Sequence, residues 1–171
     1  MKGAFTVIEL LVVTVIIAIL AGLAVPAYTY VLQVGRATAC VSNLRQIGTA
    51  LNVYLADHNA TMPTLQAARS STSQNVPVID NTLNAYANDP RVFACPADMA
   101  GLASASGTSY YWNSALNGQV LANLSFLAIS APSRIPILSD KEGFHPYLAN
   151  KVNLLYADGH ATKDLTFFTS P

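Results

Sequence analysis

Charge is scarce in this chain. Its 171 residues include 9 basic and 9 acidic side chains, giving a formal net charge of zero, and charged residues make up only 11% of the total. Without a basic excess there is no electrostatic footprint for nucleic acid, and none is expected as a partner. The same neutrality lets like copies pack densely without self-repulsion. Cysteine is limited to Cys40 and Cys95. There is no CxxCH and no paired CxxC, which argues out covalent haem attachment and cysteine-type zinc sites. A GxSxG elbow, an HExxH helix and a glycine-rich phosphate loop are also missing, so the sequence reads as that of a non-enzyme.

What is present is concentrated at the start. The run FTVIELLVVTVIIAILAGLAV, Phe5 to Val25, contains one charge, Glu9, and no other follows until Arg36. As a helix it would reach about 31 Å, enough to cross a bilayer's hydrocarbon core. A carboxylate inside such a run costs roughly 2.5–3.5 kcal/mol on insertion scales, so it needs a partner or a purpose. An ordinary signal anchor or a cleaved secretory peptide fits poorly. A secretory peptide would have more basic residues, a shorter apolar core and no embedded Glu.

A short leader with Lys2, then Gly3-Ala4, then FTVIELLVV with its lone Glu, resembles the prepilin signal of type IV pilins and type II secretion pseudopilins. The resemblance covers Lys2 to about Tyr28. It implies cutting between Ala4 and Phe5 by prepilin peptidase, an inner-membrane aspartic enzyme, and methylation of the new Phe5 amine. Ala4 stands where the family usually has Gly; Gly3 is one place earlier. Pro26 matches the proline that kinks or locally melts the pilin helix. Chemistry alone expects a bend near Gly22 to Pro26, because proline lacks a donor and crowds the preceding turn. The resemblance further implies assembly through Glu9 and Pro26 into a helical filament of self and other pilins or pseudopilins. An assembly platform in the inner membrane would drive it. The subunit would wait as a single-pass protein in inner-membrane lipid, its head in the periplasm. The filament would stand in the periplasm or at the cell surface.

The helix continues past the membrane. From Ala37 the apolar residues Val41, Leu44, Ile47, Leu51 and Tyr54 recur at spacings of three and four, the mark of one buried face. The pattern fades at Asp57-His58-Asn59. Four segments follow: a leader (1–4), a membrane or filament-core helix (5–27), its amphipathic half (28–58) and a head (59–171). Residues 61–88 read as a long polar loop with a short helix at Thr82 to Tyr86. RVFACP (91–96), TSYYWN (108–113), Arg134 to Leu138 and Val152 to Ala157 read as strands. Asp158-Gly159, followed by ATKDLTFF, predicts a hairpin with a type I′ turn. The expected fold is α+β, pilin-like, with one long helix packed on a small antiparallel sheet.

The closing NLLYADGH resembles the DGH hairpin of a pilin-like group that also carries an upstream His. Here His145 precedes Asp158 by a longer interval than is usual in that group. Asp140, Glu142, His145, Asp158 and His160 form a candidate metal cluster; hard oxygens would favour calcium and imidazoles zinc. The competing reading gives Asp158 to the turn and His160 to an exposed strand start, with no cofactor. On an oxidising side of the membrane, Cys40 and Cys95 would bridge helix to head; the alternative is two free buried thiols. The functional expectation is a structural filament subunit. Its rival is a membrane-anchored head that binds a ligand or metal.

Overall fold

The computed structural model describes residues 6–146 and 151–163. Its dominant element is α1, a helix running from Val7 to Asp57 over 51 residues, about 77 Å at the usual rise. Thr6 caps it. Glu9 N–H donates to Thr6 Oγ1 (3.3 Å), while Thr6 N–H and Thr6 Oγ1–H donate to Glu9 Oε2 (2.8 and 2.7 Å). This reciprocal capping box satisfies helix-end donors that would otherwise go unpaired. α1 passes through Pro26 without interruption, so of the two forms the resemblance implies, kinked or locally melted, the helix is not melted there. Thr29 Oγ1 donates to the Pro26 carbonyl at 2.9 Å.

The two halves of α1 live in different surroundings. From Val7 to Val34 no residue is buried, and most are apolar. From Ala37 onward one face is covered: Ala37, Cys40, Val41, Leu44, Ile47, Gly48, Ala50, Leu51 and Leu55 are buried. Tyr54 is partly buried against this core and stacks on His58 with ring centroids 3.8 Å apart, while Leu55 beside it is buried. The helix stops there, with His58 as its C-cap.

The head is a four-stranded antiparallel sheet, β1 (Tyr110–Trp112), β2 (Pro136–Asp140), β3 (Leu154–Tyr156) and β4 (Ala161–Thr162), in that spatial order. The layout is α+β, as the sequence implied. In β1 Tyr110 and Trp112 are buried while Tyr111 faces out, the alternation a pleated strand imposes. Tyr110 pairs with Asp140 and Trp112 with Leu138. The register of β2 slips between Pro136 and Leu138, which bulges the strand at its proline start. Trp112 N–H donates to Ala67 O (2.9 Å), so the polar loop covers the free edge of β1. Asn117 fastens that loop, accepting from Leu65 N–H and Trp112 Nε1–H and donating to Leu65 O.

Three local expectations need correction. RVFACP is not a strand: Pro90–Phe93 form a 3-10 turn, with Asp89 accepting from Arg91 N–H as its cap. The short helix in the loop, α2, spans Ile79–Leu83 and so begins earlier than expected. The β3–β4 turn lies where Asp158-Gly159 put it, but it is not type I′. Only Gly159 of its residues has positive φ (87°). Gly159 N–H donates to Tyr156 O and Tyr156 N–H to His160 O, which is a type I turn closed by a glycine bulge. The residues expected to continue β4 beyond Lys163 lie outside the described residues.

The core forms where α1 meets the sheet. Cys40, Leu44, Ile47 and Leu51 pack with Leu83, Phe93, Tyr110, Trp112, Leu138 and Leu155 in one buried cluster. Each large side chain buried there contributes about 1.5–3 kcal/mol. The closest approach is at Gly48, where a Cβ would sit 3.2 Å from Leu155 Cδ1. Gly48→Leu should therefore overpack the interface by about 1–3 kcal/mol and lower the melting temperature by several degrees. Gly48→Ala should be close to neutral, because about 1 kcal/mol of helix propensity offsets the contact. Thermal melts of the two variants in detergent test this.

Candidate functional site

Gly3, Ala4 and Phe5, the expected processing residues, lie outside the described residues. Glu9 and Pro26 sit on the uncovered half of α1, which is the one helix among the described residues long and apolar enough, by length and composition, to cross a membrane. Glu9 is the third residue of its helix, and the T-x-x-E spacing of Thr6 and Glu9 is the local sequence signal of this capping box.

Cys40 and Cys95 are joined as a disulfide, with Cα atoms 5.0 Å apart. Both are buried, Cys40 on α1 and Cys95 just after the 3-10 turn. Closing a loop of sequence separation 55 contributes about 4 kcal/mol in the chain-entropy account. Beside the bridge, Asn43 Nδ2–H donates to Ala94 O at 2.9 Å, tying the same turn of α1 to the same segment.

The metal candidates do not converge as the sequence grouped them. Glu142 is exposed. Asp158 and His160 pair with each other on the hairpin, where Asp158 Oδ1 also accepts from His160 N–H at 3.1 Å, and the His160 ring stacks on Tyr156. Asp140 turns inward. Its Oδ2 accepts from Asn153 N–H (2.7 Å) and lies 3.2 Å from His145 Nε2, both residues being buried. Burial, and after it the Asp140 carboxylate, push the Tyr110 hydroxyl above its ordinary pKa. Sequence proximity misled because Asp140 ends β2 pointing to the core, whereas Asp158 belongs to a solvent-facing turn.

The Asp140–His145 pair approaches a third group: His145 Nε2 is 3.7 Å from Cys95 Sγ. Sulfur and carboxylate both face the same ring nitrogen, so the imidazole cannot relay a proton between them through its two nitrogens. With Cys95 held in the disulfide, the arrangement is not a nucleophilic triad.

Two further polar assemblies complete the head, the first joining residues far apart in sequence and the second more local. Arg69 pairs with Asp80 and donates from Nε to Ser106 O (2.9 Å), while Lys141 Nζ donates to Ser106 Oγ (2.6 Å). This latch fixes the polar loop to the end of β2. Asp98 accepts from Leu102 N–H, Ala103 N–H and Ser109 Oγ–H, so it caps helix α3 (Leu102–Ser106) and steadies the segment after Cys95. Burial pushes the Asp98 carboxyl up, but these hydrogen bonds outweigh it and leave the pKa below the ordinary value. A lowered folded-state pKa gives stability that is present above the unfolded value near 3.9 and is lost as pH falls through the folded one. The head should thus lose stability on acidification below about pH 4, and Asp98→Asn should flatten that slope. Denaturant midpoints measured against pH check it.

An open, mostly apolar depression of about 430 Å³ lies beside the sheet, lined by Tyr111, Phe126, Leu127, Pro136 and Leu154 among others. Compared with protein-family models, curated proteins and solved structures, the chain matches none.

Proposed function

We propose that this chain is a structural subunit of a helical filament, a type IV pilin or type II secretion pseudopilin, assembled from the inner membrane. The observation that carries the proposal is the uncovered first half of α1. An apolar rod about 40 Å long projects from a head that clasps only the second half of the same helix. Water is no solvent for such a surface, so either lipid or neighbouring subunits cover it. In the waiting state it lies in the inner membrane with the head in the periplasm, where the disulfide persists. In the filament, van der Waals packing against neighbouring rods replaces lipid contacts.

Glu9 supplies the register. Near the N-terminus of its helix the carboxylate is favoured by the dipole by about 0.3–1 kcal/mol, which does not offset an insertion cost of roughly 2.5–3.5 kcal/mol. The methylated amine at Phe5 of a neighbouring subunit supplies the missing counter-charge. The role is architectural rather than catalytic: the two histidine–carboxylate pairs among the described residues are tied into core and turn contacts. Intact-mass analysis of protein purified from its native membrane tests the reading. The expected mass lacks residues 1–4 and carries one added methyl group; a chain still beginning at Met1 would sink it.

A further inference from the structure

Three metal-binding side chains from distant parts of the chain meet behind α1. Cys40 Sγ, Cys95 Sγ and His145 Nε2 all lie within 4.8 Å of one another, and all three residues are buried. His145 Nε2 is 3.7 Å from Cys95 Sγ and 3.2 Å from Asp140 Oδ2. The other carboxylate oxygen, Asp140 Oδ1, is buried without a hydrogen-bond partner. A buried acceptor left unpaired is costly, and it marks a place where a cation would be stabilised.

The spacings suit one particular ion. In tetrahedral zinc, with Zn–S near 2.3 Å and Zn–N or Zn–O near 2.0–2.1 Å, a sulfur and a nitrogen ligand stand about 3.6 Å apart and a nitrogen and an oxygen about 3.4 Å. His145 already holds nearly those distances to Cys95 and Asp140. What must change is the sulfur pair, which zinc would hold about 3.8 Å apart, and the Asp140 carboxylate, which lies outside that close group and must turn from His145 toward the sulfurs. We propose that reducing the Cys40–Cys95 disulfide converts this cluster into a zinc site, with Cys40, Cys95 and His145 as ligands and Asp140 in the fourth position.

The chemistry balances. A dithiol reductant gives two electrons and two protons; the Cys40–Cys95 S–S bond breaks, two thiols form, and the reductant becomes a disulfide. Zinc then displaces both thiol protons to solvent, forms two Zn–S bonds and takes the lone pair of neutral His145 Nε2. Thiolate ligands select zinc over calcium, whose preference is for oxygen. Local spacing gave no hint of the site, because the fold and not a CxxC turn brings the ligands together. The oxidised bridge and the zinc site are mutually exclusive states of one cluster.

The test uses the full chain in detergent, reduced anaerobically with a dithiol, freed of reductant and titrated with Co(II). The expected result is one Co(II) per chain, a sulfur-to-cobalt charge-transfer band with tetrahedral visible bands, and their loss on adding zinc. The oxidised chain should show none of these. His145→Ala and Asp140→Asn should each weaken binding by at least ~10-fold, after circular dichroism of their oxidised forms shows a folded head. If His145→Ala does not fold, His145→Gln takes its place. A reduced, folded chain with two alkylatable thiols and no cobalt band would overturn the proposal. So would a reduced chain that unfolds and is not refolded by zinc, or unchanged affinity in the His145 variant.

Discussion

Replacing Glu9 with alanine should leave the chain in the membrane and abolish filaments. Insertion should improve slightly, because the only charge between Phe5 and Val25 disappears. Assembly should fail for want of the carboxylate proposed to meet the neighbour's amine. Alanine also removes one side of the capping box with Thr6, so a second variant is needed to separate charge from capping. Glu9→Gln keeps the size and the acceptor oxygen that a capping box can use, but not the charge. It should be nearly as defective as alanine, with filament yield down at least ~10-fold, the equivalent of about 1.4 kcal/mol. Filaments counted by electron microscopy at matched expression decide it. Normal yield from Gln with failure of Ala would assign Glu9 to helix capping alone.

The second large effect concerns the bridge between rod and head. Cys40→Ser should destabilise the head by about 4 kcal/mol, a fall in melting temperature on the order of 15 °C for a domain of this size. Cys95→Ser should match it, and the double variant should cost little more than either single one, since all three remove the same bond. Melts are run on the full chain in detergent with a chelator present, so that no metal substitutes for the bridge. A fall of less than about 3 °C would mean that packing of Leu44, Ile47 and Leu51 alone holds the head to α1.

Much of the fold was legible because it rests on long, one-dimensional patterns. The uninterrupted apolar run, followed by spacings of three and four from Val41 to Tyr54, predicts a single helix that fades over Asp57-His58-Asn59, and α1 ends at Asp57. β1 is found inside TSYYWN because aromatic alternation is a local property of a strand. The start of β2 lies two residues later than expected because Pro132 and Arg134 are drawn into a 3-10 turn. RVFACP misled for a related reason: apolar content suggested a strand, while Asp89-Pro90 carried the cap and first-turn residue of a short helix. The site was less legible. Asp140, Glu142, Asp158 and His160 are near in sequence yet are sorted by the fold into core, solvent and turn. The grouping that does form, Cys40 with Cys95 and His145, depends on long-range packing that no spacing rule encodes.

In the proposed filament the uncovered rod of α1 is buried against other subunits. A photo-crosslinking residue in place of Ile16, midway along that rod and half exposed in the single chain, reads this directly in cells of the native host. The expected result is a ladder of crosslinked multimers, of this chain with itself or with subunits of the same build, that disappears in the Glu9→Gln background. Monomer and lipid adducts alone, with no ladder in either background, would contradict it.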